Sequence, residues 1–213
     1  AEPEPFVAIL EPPAPASPPT AAAPVVELPK KGRKAEEAPP VPAPPTIAPA
    51  TAERFANAVR LLEAGDLAAA RPILEGLVTS EPTLAAPAVN LGILHAREKR
   101  WSEAEATLAE GYRRDPADAV ALNELAAVQR ENGRFKDAEA TYRQALAADP
   151  AHARTHRNFA VLLDLYLWRP AEALQHFETY VSMSGTADRQ VSGWIAELKR
   201  RVGDVAQTAG VQP

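Results

Sequence analysis

Apolar residues recur at helical spacing from Thr51 onward, in segments that short polar breaks separate. Because apolar side chains three or four positions apart lie on one face of a helix, each segment predicts an amphipathic helix with one buried face. The predicted helices are 52–63, 66–79, 85–97, 101–113, 119–131, 135–147, roughly 170–182, and 187–201. A chain built from these segments is predicted to be all-α.

The helices form pairs that repeat every 34 residues. The dipeptides Glu81-Pro82, Asp115-Pro116 and Asp149-Pro150 recur at that spacing. Aligning the chain on these prolines gives columns of one residue class: small at Ala58, Gly92, Ala126 and at Ala70, Ala104, Ala138; bulky at Leu67, Trp101, Phe135 and at Leu74, Leu108, Tyr142; and a break at Gly65, Lys99, Gly133. Small residues let paired helices approach, large residues fill the space between them, and a proline cannot continue a helix interior.

This pattern closely resembles the tetratricopeptide repeat (TPR), in which each unit is two antiparallel helices, A and B. The resemblance covers about 150 of the 213 residues. It implies a right-handed α-α superhelix over 51–203, with units at about 51–84, 85–118, 119–152 and 153–185 and a capping helix at 187–201. In the fourth unit Leu167-Trp168-Arg169-Pro170 replaces the usual break. We therefore predict a one-residue insertion there, with Pro170 at the start of the B helix.

The N-terminal region has a different composition, since residues 1–50 hold 15 of the 22 prolines. Proline removes a backbone donor and biases the residue before it toward extended geometry, so residues 1–50 are predicted to be a tail without regular secondary structure. Residues 204–213 are predicted to be a flexible C-terminus. One apolar run in the tail is predicted to dock on a neighbouring protein, although it could instead cover the chain's own groove: Phe6, Val7, Ile9 and Leu10.

In the family, A helices line a concave groove and B helices form the outer surface. The resemblance therefore implies a partner-binding groove made by Phe55, Val59, Leu62, Val89, Asn90, Ile93, Arg97, Asn123, Ala127, Arg130, Arg154, Arg157, Asn158 and Val161. Its first half would be apolar and its second half rich in Asn and Arg. Asparagine can bond a peptide backbone and Arg can fork onto a carboxylate, so the groove is predicted to hold an extended peptide or an amphipathic helix. The alternative is a solvated surface without a ligand.

The chaperone-binding subtype of the family holds a C-terminal carboxylate with a clamp of Lys, Asn and Arg. Asn90 matches one clamp column, but Phe55, Val59, Val120 and Glu124 stand where other clamp residues belong. This departure argues against a heat-shock co-chaperone.

Composition excludes several functions. A net charge of -5 gives no electrostatic reason to expect nucleic acid, no apolar run approaches the roughly 20 residues of a membrane span, and the chain has no cysteine. His152 and His156 have the spacing of a two-histidine metal site, but no third ligand is near in sequence. We find no phosphate-binding loop and no nucleophile motif, so we predict a protein that is not an enzyme and holds no metal or cofactor.

We therefore predict a protein–protein adaptor or assembly subunit. The alternative is a permanent structural subunit of a larger complex or filament, held through its tail. Arginine outnumbers lysine 17 to 6 and alanine is abundant, which is typical of a GC-rich bacterium. Because the chain begins at Ala1, we expect that an upstream segment, either a signal peptide or a tag, was removed. We expect a periplasmic or cell-envelope location, with the cytoplasm as the alternative.

Overall fold

The computed structural model describes residues 47–185 and 189–210. These residues form helices and no strand. The helices are α1 (Pro49–Glu63), α2 (Leu67–Ser80), α3 (Ala85–Arg97), α4 (Trp101–Arg114), α5 (Ala119–Glu131), α6 (Phe135–Ala148), α7 (Ala153–Leu165), α8 (Pro170–Ser184) and α9 (Arg189–Gly210). Within the described residues no helix is long and apolar enough to cross a membrane, and no three potential metal ligands come together. The predicted tail up to residue 46, including the run Phe6–Leu10, lies outside the described residues.

The turn between the two helices of each unit contains one residue in the left-handed backbone region. This residue is Gly65 (φ 80°), Lys99 (φ 59°), Gly133 (φ 74°) and Trp168 (φ 55°) in successive units. The first three lie 34 residues apart, whereas Trp168 follows Gly133 by 35. The predicted insertion is therefore present in the fourth turn, and α8 begins at Pro170, as the sequence predicts.

Two predicted boundaries were wrong. The last helix does not end at 201 with a flexible segment after it, because α9 continues to Gly210. The sequence carries the reason: Val202 and Val205 continue the helical spacing of Leu198, and no proline interrupts before Pro213. The first helix begins at Pro49, inside the predicted tail, because proline is well tolerated in the first turn of a helix.

The repeat columns form the core. All three members of the small column at Ala70 are buried, and so are Leu74, Leu108 and Tyr142 in the large column. The close approach that the small residues permit is tightest between α3 and α4. A Cβ atom added to Gly92 would lie 2.5 Å from Leu108 Cγ. The repeat therefore encodes helix packing at atomic contact distance, rather than helix boundaries alone.

Helix α9 covers the open end of the solenoid. Val191 and Leu198 are buried in the same apolar cluster as Phe177 of α8. The Trp194 ring lies 5.4 Å from the Phe177 ring, measured between centroids. Arg201 also forms an ion pair with Asp164 of α7. Since the last unit of a solenoid has no following unit to bury its apolar face, α9 has the position and contacts of a capping helix.

Two histidines that are distant in sequence meet between α7 and α8. His156 does not pair with His152, whose Nδ1 instead lies 2.6 Å from Thr155 Oγ1. The Nδ1 atom of His156 lies 2.8 Å from Nδ1 of His176, and its Nε2 atom lies 3.1 Å from the Pro150 carbonyl oxygen. A carbonyl oxygen only accepts, so His156 Nε2 carries a hydrogen and donates it to Pro150.

This pair should make stability fall as the pH is lowered from about 6.5 to about 4. Burial and the nearby His156 ring lower the pKa of His176 from 6.5 to about 4, with Arg143 and Arg169 acting in the same direction and Glu172 opposing them. Between those pH values the unfolded chain binds more protons at this site than the folded chain does, so acid favours unfolding. After allowance for solvent screening, the loss between pH 7 and pH 5 should be about 1 kcal/mol.

The measurement is urea unfolding at pH 7 and pH 5 for the natural protein and for His176→Gln. Between pH 7 and pH 5 the free energy of unfolding of the variant should fall by about 1 kcal/mol less than that of the natural protein. An unchanged pH slope in His176→Gln would show that the pair does not titrate in this way.

Candidate functional site

The odd-numbered helices line the inner side of the solenoid. Each of α1, α3 and α5 contacts the next odd-numbered helix, whereas within the described residues the even-numbered helices do not contact one another. A stack of helix pairs in which only one layer is in mutual contact curves toward that layer. The A helices therefore form the concave side, as the family resemblance implies.

A cavity of about 230 Å³ opens on this concave side, between α1, α3, α5 and α7. Its lining combines apolar side chains with amides and charged groups. The apolar lining residues are Val59, Leu62, Ile93, Ala96, Trp101, Ala127 and Val128, and the polar ones are Glu63, Asn90, Arg97, Glu124, Arg130, Glu131, Arg154 and Asn158. We refer to this cavity as the groove.

The structure brings together nine of the fourteen residues predicted to form the binding surface. They are Val59, Leu62, Asn90, Ile93, Arg97, Ala127, Arg130, Arg154 and Asn158. They come from all four A helices and from positions up to about 100 residues apart in the chain. Their role in binding a partner stays a prediction.

The other five predicted residues do not line the groove, and four of them belong to one column. Phe55, Val89, Asn123 and Arg157 recur at a spacing of 34 residues. Val89 and Asn123 are 3% and 0% exposed, and Arg157 is also buried. Phe55 is half-buried against a core cluster that includes Ala58 and Leu62. The prediction was wrong for Val89, Asn123 and Arg157 because these side chains are buried, and Val89, for example, packs against Gly111 of α4. For Phe55 it stays a prediction.

The remaining exception is Val161, which belongs to the same column as Val59, Ile93 and Ala127. It is half-buried against the C-terminal core cluster, which includes residues of α7, α8 and α9. Its equivalents in the earlier units line the groove, so the part of Val161 in binding stays a prediction.

Sequence reasoning missed six lining residues, and for four of them a signal was present. Glu63 and Glu131 are in the same column as Arg97, so the 34-residue repeat places them on the groove face. By the same spacing Ala96 belongs to the column of Leu62 and Arg130, and Glu124 belongs to the column of Asn90 and Asn158. Trp101 and Val128 were not predictable in this way, since Trp101 is on a B helix and belongs to a column expected in the core.

The charges of the groove are largely compensated inside it. Arg154 pairs with Glu124 at 3.1 Å and Arg130 pairs with Glu131 at 2.9 Å. Arg97 donates a hydrogen bond to the Leu62 carbonyl oxygen and makes no ion pair with the described part of the chain. Arg97 can therefore bind a partner's carboxylate without breaking an existing ion pair. Arg130 and Arg154 would first have to give up their pairing with Glu131 and Glu124.

A buried amide joins α5 to α7 beneath the polar side of the groove. Asn158 Nδ2 donates to Asn123 Oδ1 at 3.1 Å, and Asn123 Nδ2 donates to Glu124 Oε1 at 3.1 Å. Asn123 therefore cannot offer its amide to a ligand as predicted. Because a buried amide without a partner is costly, this chain of hydrogen bonds holds Glu124 and Asn158 in position at the groove surface.

Comparison with known proteins agrees with this architecture. Two sequence models described as tetratricopeptide repeat match residues 61–128 and 123–189, together more than half of the chain. Among curated protein sequences, none matches.

Solved structures of other proteins share the fold. PilF of Pseudomonas aeruginosa is 19% identical with a TM-score of 0.64, over 77% of this chain and 78% of that chain. MamA of Desulfovibrio magneticus RS-1, from residue 41 to its end, is 17% identical with a TM-score of 0.62, over 77% of this chain and 92% of that chain. The first TPR of Spaghetti (RPAP3), bound to the HSP90 peptide SRMEEVD, is 15% identical with a TM-score of 0.53, over 56% of this chain and 93% of that chain.

Likenesses at these identities show the fold and leave the partner open. The repeat columns, the left-handed turn in each unit, the concave layer of A helices and the two sequence matches all agree. This chain belongs to the tetratricopeptide-repeat family.

Proposed function

We propose that this protein is an adaptor or assembly subunit that holds a peptide or helix of a partner protein in the groove. TPR domains act as protein-interaction scaffolds. The observation that carries the proposal is the open cavity of about 230 Å³ on the concave side, whose lining combines apolar side chains with amides and charged groups. A concave site that combines apolar lining with a few placed polar groups is characteristic of a binding site.

The groove favours a partner segment that is mainly apolar over a strongly acidic one. Glu63, Glu124 and Glu131 line it together with the three arginines, so its formal charges balance. The groove therefore has no excess positive charge to attract an acidic peptide such as the one bound by the first TPR of Spaghetti. A largely apolar segment with a single carboxylate that can reach Arg97 suits these charges better.

The alternative, a permanent structural subunit of a larger complex, makes a different prediction about exchange. An adaptor should release its partner and take up another on dilution, whereas a permanent subunit should remain assembled. An envelope location and the lack of catalytic activity stay predictions from the sequence.

Filling the groove should abolish partner binding. In Ala127→Arg a long side chain enters the groove from the middle of α5, and Glu124 and Glu131 lie close enough on that helix to pair with it. Ala140→Arg is the matched control, because Ala140 is exposed on α6, in the outer layer. Arginine is a good helix former, so both variants should fold.

The two variants and the natural chain should be used as affinity baits in an extract of the native host, with bound proteins identified by mass spectrometry. Proteins bound through the groove should be retained by Ala140→Arg and reduced more than tenfold with Ala127→Arg. Equal retention by both variants would show that partners bind elsewhere.

A further inference from the structure

We propose that the chain's own apolar run Phe6–Leu10 occupies the groove when no partner is bound, so that the tail competes with partners for the site. This inference rests on the proposed function, since it takes the groove to be a protein-binding site. The run is then the first occupant of that site, and partners must displace the run in order to bind. Three properties of the run support it: size, charge and reach.

The size of the groove matches the side chains of the run. An engineered apolar cavity of about 150 Å³ holds one benzene ring. At about 230 Å³ the groove has room for one aromatic ring and one aliphatic side chain. Phe6, Ile9 and Leu10 stand at positions i, i+3 and i+4, so a single helical turn would present them on one face.

The charges around the run also fit. Glu4 and Glu11 flank it on either side. Arg97 is the lining arginine without an ion pair among the described residues, so one of these carboxylates can pair with it. The second apolar run of the tail, 25–28, is followed by Lys30, Lys31, Arg33 and Lys34. The second run has a carboxylate of its own, Glu27, but the four cations next to it would repel Arg97, so the groove favours the first run.

The connecting segment is long enough for the run to reach the groove of the same chain. Val59 lies ten residues into α1, about 15 Å from the start of that helix at a rise of 1.5 Å per residue. The 36 residues between the run and Ile47 could extend about 110 Å at 3.1 Å per residue. A tether that can span its site presents its ligand at an effective concentration in the millimolar range, which favours the same chain over a second copy.

Crosslinking of the full chain tests the proposal. The chain has no cysteine, so two introduced thiols are its only ones. One variant combines Ala8→Cys in the run with Ala127→Cys in the groove, and the matched control combines Ala8→Cys with Ala140→Cys on the outer layer. A short bismaleimide should crosslink the first pair within one chain roughly tenfold faster than the second, because docking raises the local thiol concentration. Adding Phe6→Asp and Ile9→Asp should remove the difference.

Equal rates for the two pairs would overturn the inference, and so would crosslinking mainly between chains, which would identify a second copy as the donor of the run. Neither result bears on the proposed function, which the Ala127→Arg and Ala140→Arg baits test separately. If the inference holds, the Phe6→Asp, Ile9→Asp chain should also capture more partner than the natural chain at the same bait concentration. An unchanged capture would contradict competition by the tail.

Discussion

Replacing Phe177 with Ala should lower the free energy of unfolding by about 3–5 kcal/mol, the usual cost of removing a buried aromatic side chain. Phe177 is 1% exposed and lies in the cluster that joins α8 to the capping helix. Its ring contacts Trp194, so its removal opens a cavity between the last unit and α9. Because each unit of a solenoid contacts only the units next to it, the loss of stability should concentrate at the C-terminal end.

Urea unfolding followed by circular dichroism gives the overall loss, and hydrogen exchange shows where it occurs. Protection of the amides in α8 and α9 should fall much more than protection in α1 to α4. Met183→Ala is the control, since Met183 is on the same helix but 42% exposed, and its stability should stay within about 0.5 kcal/mol of the natural chain. Similar losses in both variants would mean that Phe177 is not a core residue.

Adding one methyl group at Gly92 should destabilise the protein by about 1–3 kcal/mol through overpacking. The added Cβ of Gly92→Ala would lie 2.5 Å from Leu108 Cγ and 3.1 Å from the Leu108 backbone nitrogen. The Leu108 side chain could adjust, but its backbone nitrogen can retreat only if α4 moves away from α3. Relief of the contact would therefore separate the two helices of the second unit.

The same substitution at Gly193 should have the opposite sign. Gly193 is in α9, and nothing lies within 4 Å of the position of an added Cβ. There the methyl group meets no neighbour and reduces the freedom of the unfolded chain, which stabilises a helix by about 0.5–1 kcal/mol. Urea unfolding of the two variants measures the difference. If Gly92→Ala also stabilised the protein, the close contact between α3 and α4 would be contradicted.

One column of the repeat lines the groove in three units but not in the fourth. Val59, Ile93 and Ala127 line the cavity, whereas Val161 at the same position of the fourth unit does not. Val161 is instead half-buried against the C-terminal core cluster.

Much of the fold could be predicted because the repeat applies the same constraints in each unit. The column of Ala70 contains small residues because the paired helices must approach each other there. The left-handed turn at Gly65 recurs at Gly133 because the chain must reverse at the same place in each unit. Even the irregular turn at Trp168 was predictable, because an extra residue shifts every later column by one. The predicted end of α9 at residue 201 was too early, because Val202 and Val205 continue the helical spacing of Leu198.

The site was predicted less completely, for a physical reason. Periodicity defines the faces of a helix, but the width of the groove depends on how far each helix rotates against its neighbours. In the structure Asn123 is fully buried, and Trp101 of a B helix lies in the cavity wall. Likewise the pairing of Arg154 with Glu124, and of His156 with His176, joins residues of different helices.

The sequence by itself determined the repeat, the helix pairs, their turns and the class of surface that faces a partner, because each depends on residues within about one 34-residue unit. The tertiary structure alone decided which charges are compensated, which amide is buried and which of the predicted positions line the groove. Those outcomes depend on distances between helices of different units, which no local pattern contains.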